Sequence, residues 1–145
     1  MDGKCFLTTA QFLSTEGSSE ADFRSAVGRA YYACFLTARG IAFRNCGGAF
    51  RQSAGIHKES SITHDRLQRY LKDGSDKAVQ RLGVTLAGLL GCRKDADYEM
   101  AGQFEKGDAV QSIDDAEAFL AAIAEARPQD IGKAMENHIR LTCRT

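Results

Sequence analysis

The sequence predicts an all-α protein, an antiparallel bundle of five to six helices, and three observations carry that expectation. Apolar residues recur at three- and four-residue steps over long stretches, the period of one helical face. Proline occurs once in 145 residues, and Ala, Leu, Arg, Glu and Asp dominate the periodic segments. No segment reads as a strand, so helical stripes can be buried only against one another. With 43% apolar residues, a chain of this length fills one core, and residues 1–145 are expected to form one domain.

The elements follow in order. Phe6, Leu7, Ala10 and Leu13 place a short helix over about residues 4–15, stopped by Glu16-Gly17-Ser18-Ser19. Ser19 with Asp22 is a capping-box variant. It opens a long second helix, reaching about residue 44, whose stripe holds Phe23, Val27, Ala30, Tyr31, Cys34, Ala38 and Ile41. Residues 45–62 mix glycine and serine without a period and read as a mobile loop.

Thr63 caps a third helix through about residue 71, and Gly74-Ser75 ends it. A fourth helix begins near residue 76 with Val79, Leu82, Leu86, Leu89 and Leu90 on one stripe, weakened locally by Gly83, Gly88 and Gly91. After a turn-like stretch at 102–107, Ala109, Ile113, Ala116, Leu120 and Ile123 make a fifth helix. Pro128 marks a break before a shorter C-terminal helix ending near residue 141.

Composition narrows the function. No window approaches the roughly 20 apolar residues of a membrane span and no leader pattern is seen, so a cytoplasmic protein without membrane contact is expected. The five cysteines, at 5, 34, 46, 92 and 143, are widely separated and form no CxxC pair. They read as reduced thiols, and neither a metal nor a cofactor is expected. Acidic and basic residues balance at 19 each, but unevenly along the chain. Residues 24–94 carry 13 basic and 4 acidic side chains, while 95–145 carry 5 and 11. The basic stretch either presents a phosphate-attracting face or is neutralised by the acidic C-terminal part lying alongside.

Two segments carry candidate chemistry. The stripe of the fourth helix extends geometrically to Arg93 and then Asp97, so a charged pair continues an apolar face. The pair either clamps the helix end or holds Arg93 at a cleft wall, where a guanidinium binds phosphate. The second segment, Arg29-Ala-Tyr-Tyr-Ala-Cys-Phe, sets an arginine beside adjacent tyrosines in mid-helix. Tyr31 lies on the core stripe and its hydroxyl needs a partner, whereas Arg29 and Tyr32 face solvent, a neighbouring helix or a second subunit.

Arg29-Ala-Tyr-Tyr-Ala-Cys-Phe, followed some sixty residues later by Arg93-Lys-Asp-Ala-Asp-Tyr98, resembles the pattern of prokaryotic HEPN proteins over about residues 4–126. The resemblance implies a helical bundle that dimerises around the fourth helix. It also implies RNA or nucleotide binding at the dimer cleft, ribonuclease or toxin activity, and a nucleotidyltransferase partner in a toxin–antitoxin or defence module. Active members place a histidine four to six residues after the arginine, and here Tyr98 stands five positions on instead. A tyrosine phenol, with a reference pKa of about 10, is a poor base at neutral pH.

The candidate catalytic residues are therefore Arg93, Tyr98 and His64, with Asp97, Arg29, Tyr32 and His57 as binding residues. His57 and His64, in or just after the loop, either enter the cleft or remain solvated. His138 reads as a surface residue. The alternative from a different class is a non-catalytic HEPN interaction module in which Arg93, Asp97 and Tyr98 hold dimer and partner together. Nothing matches a phosphate-binding glycine loop.

Overall fold

The computed structural model describes residues 3–98 and 104–142, and these contain α-helices, one 3-10 turn and no strand. The helices are α1 Gly3–Glu16, α2 Glu20–Asn45, α3 Gly48–Ser53, α4 His64–Lys72, α5 Lys77–Tyr98, α6 Lys106–Glu125 and α7 Pro128–Thr142. The all-α reading holds, with seven α-helices among the described residues against the five to six expected.

The extra helix lies in the stretch read as a mobile loop. Residues 45–62 hold α3 and a 3-10 turn at Glu59–Ser61, and Cys46, Ile56 and Ile62 are buried in the core. Six residues are too few to display a helical period among glycines and serines, and the isolated apolar residues are what pin the segment down. Gly55, at φ 73°, makes the turn after α3 in the left-handed region that favours glycine.

Start signals in the sequence operate as read. The Ser19 hydroxyl accepts from the Asp22 amide at 3.2 Å while the Asp22 carboxylate accepts from the Ser19 amide at 3.2 Å. Thr63 Oγ1 accepts from the Arg66 amide at 3.3 Å and starts α4. At α6, Glu105 and Asp108 form a further reciprocal box, so this helix begins three residues before Ala109. Gly107 falls inside its first turn, while the part of the expected 102–107 turn at 102–103 lies outside the described residues. Pro128 is the first residue of α7, where its missing amide proton costs nothing.

Helix α2 is the spine, packed against α1, α4, α5, α6 and α7. Its buried set, Ala26, Val27, Ala30, Tyr31, Ala33, Cys34, Phe35, Ala38 and Ala42, goes well beyond one stripe because neighbours cover it on several sides. Helix α5 lies against α2, α4 and α6. Gly83 permits the α4 approach: a Cβ there would stand 2.8 Å from the Lys72 amide nitrogen and 2.9 Å from the Gln68 carbonyl oxygen. Gly88 and Gly91 face open space. No described helix is long and apolar enough to cross a membrane.

Candidate functional site

Where α1, α2, α4 and α5 converge, their aromatic and cationic side chains form one cluster. Its floor is α2. Tyr31 is fully buried, Tyr32 and Phe35 follow, and Phe6 of α1 lies 5.7 Å from the Tyr32 ring centre. The adjacent tyrosines leave α2 in directions roughly 100° apart, and their rings meet edge-on at 63°.

Arg93 comes in from α5. Its guanidinium carbon lies 4.7 Å from the Tyr32 ring centre and 5.6 Å from that of Tyr31, and its Nε pairs with Asp97 Oδ2 at 3.3 Å. The Arg93 side chain keeps 20% of its exposure and Asp97 keeps 40%. Arg93 is thus held between a ring face and a carboxylate and still meets solvent. A cleft of about 240 Å³ opens beside it, lined by Ser25, Gly28, Arg29, Tyr32, Arg93 and Asp97.

His64 enters from the first turn of α4. Its Nδ1 lies 2.7 Å from the Tyr31 hydroxyl, and its ring packs 4.1 Å from Phe35 and edge-on to Tyr32 at 5.8 Å. Partial burial holds its pKa below the usual imidazole value, and the positive charges of Arg93 and Arg39 push the same way. Burial raises the Tyr31 phenol well above its ordinary range, so it stays protonated. His64 is therefore placed, not simply solvated, and it answers the need of the Tyr31 hydroxyl for a partner.

The surrounding charges are mostly cationic. Arg39 lies 5.0 Å from the Phe35 ring centre and faces Glu59 at 3.7 Å, Lys94 pairs with Asp65 at 3.3 Å, and exposed Arg29 lies 5.5 Å from the Phe6 ring centre. The carboxylates that pair with Arg93, Arg39 and Lys94 are Asp97, Glu59 and Asp65, none of them on α6. Arg29 has no ion pair among the described residues.

The expected residues divide cleanly. Arg93, Asp97, Arg29 and Tyr32 line one cleft, and His64 adjoins it across the Tyr31 and Tyr32 rings. Tyr98, at the end of α5, is 76% exposed and does not line the cleft. His57 is exposed between α3 and the 3-10 turn and does not line the cleft. Neither residue is brought into the cluster.

Other residues were missed in the sequence. Arg24 donates to the Ala96 and Asp95 carbonyls at 2.8 and 3.2 Å, capping the end of α5 where Asp97 sits, and to Glu20 at 2.9 Å. Arg39, ten residues after Arg29, carried no periodic signal of its own. His138 is not a free surface residue: its Nδ1 lies 2.6 Å from Asp73 Oδ2 and its ring packs edge-on to Tyr70 at 4.9 Å. Of the cysteines, Cys34 and Cys46 are buried and act as small core residues, whereas Cys5 and Cys92 are exposed. Cys143 lies outside the described residues. No cluster of three or more metal-ligating side chains occurs among the described residues.

Neither a family model, nor a characterised protein, nor a solved structure matches this chain.

Proposed function

We propose that this is a HEPN-type protein that binds the phosphates of RNA or of a nucleotide in the Arg93 cleft. One observation carries the reading. The arginine on α5, which lacks the histidine expected a few residues later, lies against the same pair of tyrosine rings as His64 from α4. An arginine and a histidine thus share one site, although they do not share one motif. A guanidinium already oriented by Asp97 and a ring face loses little freedom on binding and presents its remaining N–H groups to phosphate oxygens.

The same reading makes the protein a homodimer working with a nucleotidyltransferase partner in a toxin–antitoxin or defence module, as the HEPN resemblance implies. Fluorescence anisotropy with a labelled single-stranded RNA tests the cleft. Wild type is expected to bind at low salt, and Arg93→Ala to lose binding with an unchanged helical circular dichroism spectrum. Equal binding by both would overturn it.

A second reading, the non-catalytic interaction module, is favoured by exposed apolar side chains on α5: Val84 at 63% and Tyr98 at 76% exposed. A separate groove of about 330 Å³ lies between α5 and α6, with Arg81 and Asp115 at its walls. Failure of the wild type to bind or cleave RNA, together with capture of a nucleotidyltransferase, would favour this reading.

A further inference from the structure

We propose that Tyr31 is a positioning residue: its buried hydroxyl donates to Nδ1 of His64 and holds the imidazole as the neutral Nε2–H form, making His64 a hydrogen-bond donor at the edge of the Arg93 cleft. The inference rests on the phosphate-binding reading and deepens it.

The argument is one of hydrogen-bond satisfaction. Tyr31 is fully buried, and its phenol has one proton to place. Among the described residues its hydroxyl has one hydrogen-bond partner, His64 Nδ1 at 2.7 Å. If Nδ1 carried a proton and donated, the phenol proton would be stranded in the core without an acceptor. The phenol therefore donates and Nδ1 accepts. In a neutral imidazole the remaining proton then sits on Nε2.

Imidazolium is disfavoured in the same place. The ring is packed on Phe35 and edge-on to Tyr32, and the charges facing it are Arg93 of α5, Arg39 of α2, Lys94 of α5 and Asp65 of α4, three cations against one carboxylate. Nε2 has no hydrogen-bond partner among the described residues and is not buried without one. It keeps some solvent access beside the cleft.

The consequence for ligand class is specific. A guanidinium and an Nε2–H offer donors alone, which suits terminal phosphate oxygens. Tyr32 is no platform for a base, since Arg93 lies over its ring and Phe6, tilted by 31°, packs against it. The site is built to hold a phosphodiester backbone with little regard to base identity. A neutral Nε2–H imidazole also lacks the free nitrogen that a general base would need to take a proton from a 2′-hydroxyl.

The experiment has two arms. Two-bond proton–nitrogen correlation spectra of the full chain at neutral pH, with His64 assigned by comparison with His64→Ala, should show Nε2 protonated and Nδ1 unprotonated. An Nδ1–H form, or a mixture of the two, would overturn the proposal. In the second arm, anisotropy with a single-stranded RNA oligonucleotide completes a double-mutant cycle. Tyr31→Phe should weaken binding up to about tenfold in the wild type, the reach of one net hydrogen bond, and hardly at all in the His64→Ala background. An equal loss in both backgrounds would assign Tyr31 a role independent of His64 and sink the positioning claim. A wild type that binds no RNA at all removes the phosphate-binding reading itself, while the spectra still decide the Tyr31–His64 arrangement.

Discussion

Arg93 of α5 lies across the Tyr32 ring of α2, its guanidinium carbon 4.7 Å from the ring centre, with Asp97 one turn further on holding Nε at 3.3 Å. This arrangement separates the structural and functional accounts of the arginine. The Asp97 side chain is 40% exposed, so the pair is solvent-screened and contributes about 0–1 kcal/mol, to which the ring contact adds about 0.5–1 kcal/mol. Arg93→Ala should therefore lower the melting temperature by only a few degrees while abolishing RNA binding. The double variant with Asp97→Ala should melt close to the single one. A large loss in the single variant relieved in the double would show the pair to be buried and structural.

Binding by the cleft should depend on salt. Arg29 and Arg93 line it, Arg39 and Lys94 act on the adjoining His64, and if two or three of these cations contact phosphates, the slope of log affinity against log salt is expected to be about −1.5 to −2 for single-stranded RNA. Titrations between low and physiological salt measure it. A flat response would show that the cations do not touch phosphate.

Stability should fall with acid through His64. Partial burial and the neighbouring arginines hold its pKa below the ordinary value of about 6.5, which the unfolded chain restores. Between those two values the unfolded state takes up a proton that the folded state refuses, so stability rises with pH across the window. The contribution is complete above about pH 6.5 and is lost as pH falls through the folded pKa. Melting curves from pH 7.5 to 5 should decline more steeply for wild type than for His64→Phe, which keeps the ring packing without the titration. Parallel declines would refute the assignment.

The glycines of the bundle should respond in opposite senses. Gly132→Ala places a Cβ against the Asn45 carbonyl group where α7 passes the end of α2, and Gly83→Ala crowds backbone atoms of α4; each is expected to cost about 1–3 kcal/mol. Gly88→Ala meets open space and should gain about 0.5–1 kcal/mol from helix propensity. Chemical denaturation checks all of them. Destabilisation by Gly88→Ala together with a halved mass in light scattering would place that face of α5 inside the proposed dimer.

Local rules were legible wherever they act over a few residues. Ser19 with Asp22, Thr63 and the stripes of α2 and α5 set helix type and starts, because capping and the 3.6-residue period depend on neighbours along the chain. The continuation of the α5 stripe onto Arg93 and Asp97 located the pair, and the tyrosines of α2 gave the other half of the cleft. Residues 45–62 escaped because six residues of helix leave no periodic trace, and their order comes from Ile56 and Ile62 reaching a core assembled by distant segments. Tertiary structure alone brought His64 to Tyr31, across 33 residues, and left Tyr98 and His57 outside. No spacing along one helix encodes that contact: it exists because Gly83 lets α4 settle on α5, and because a buried phenol must give its proton to an acceptor.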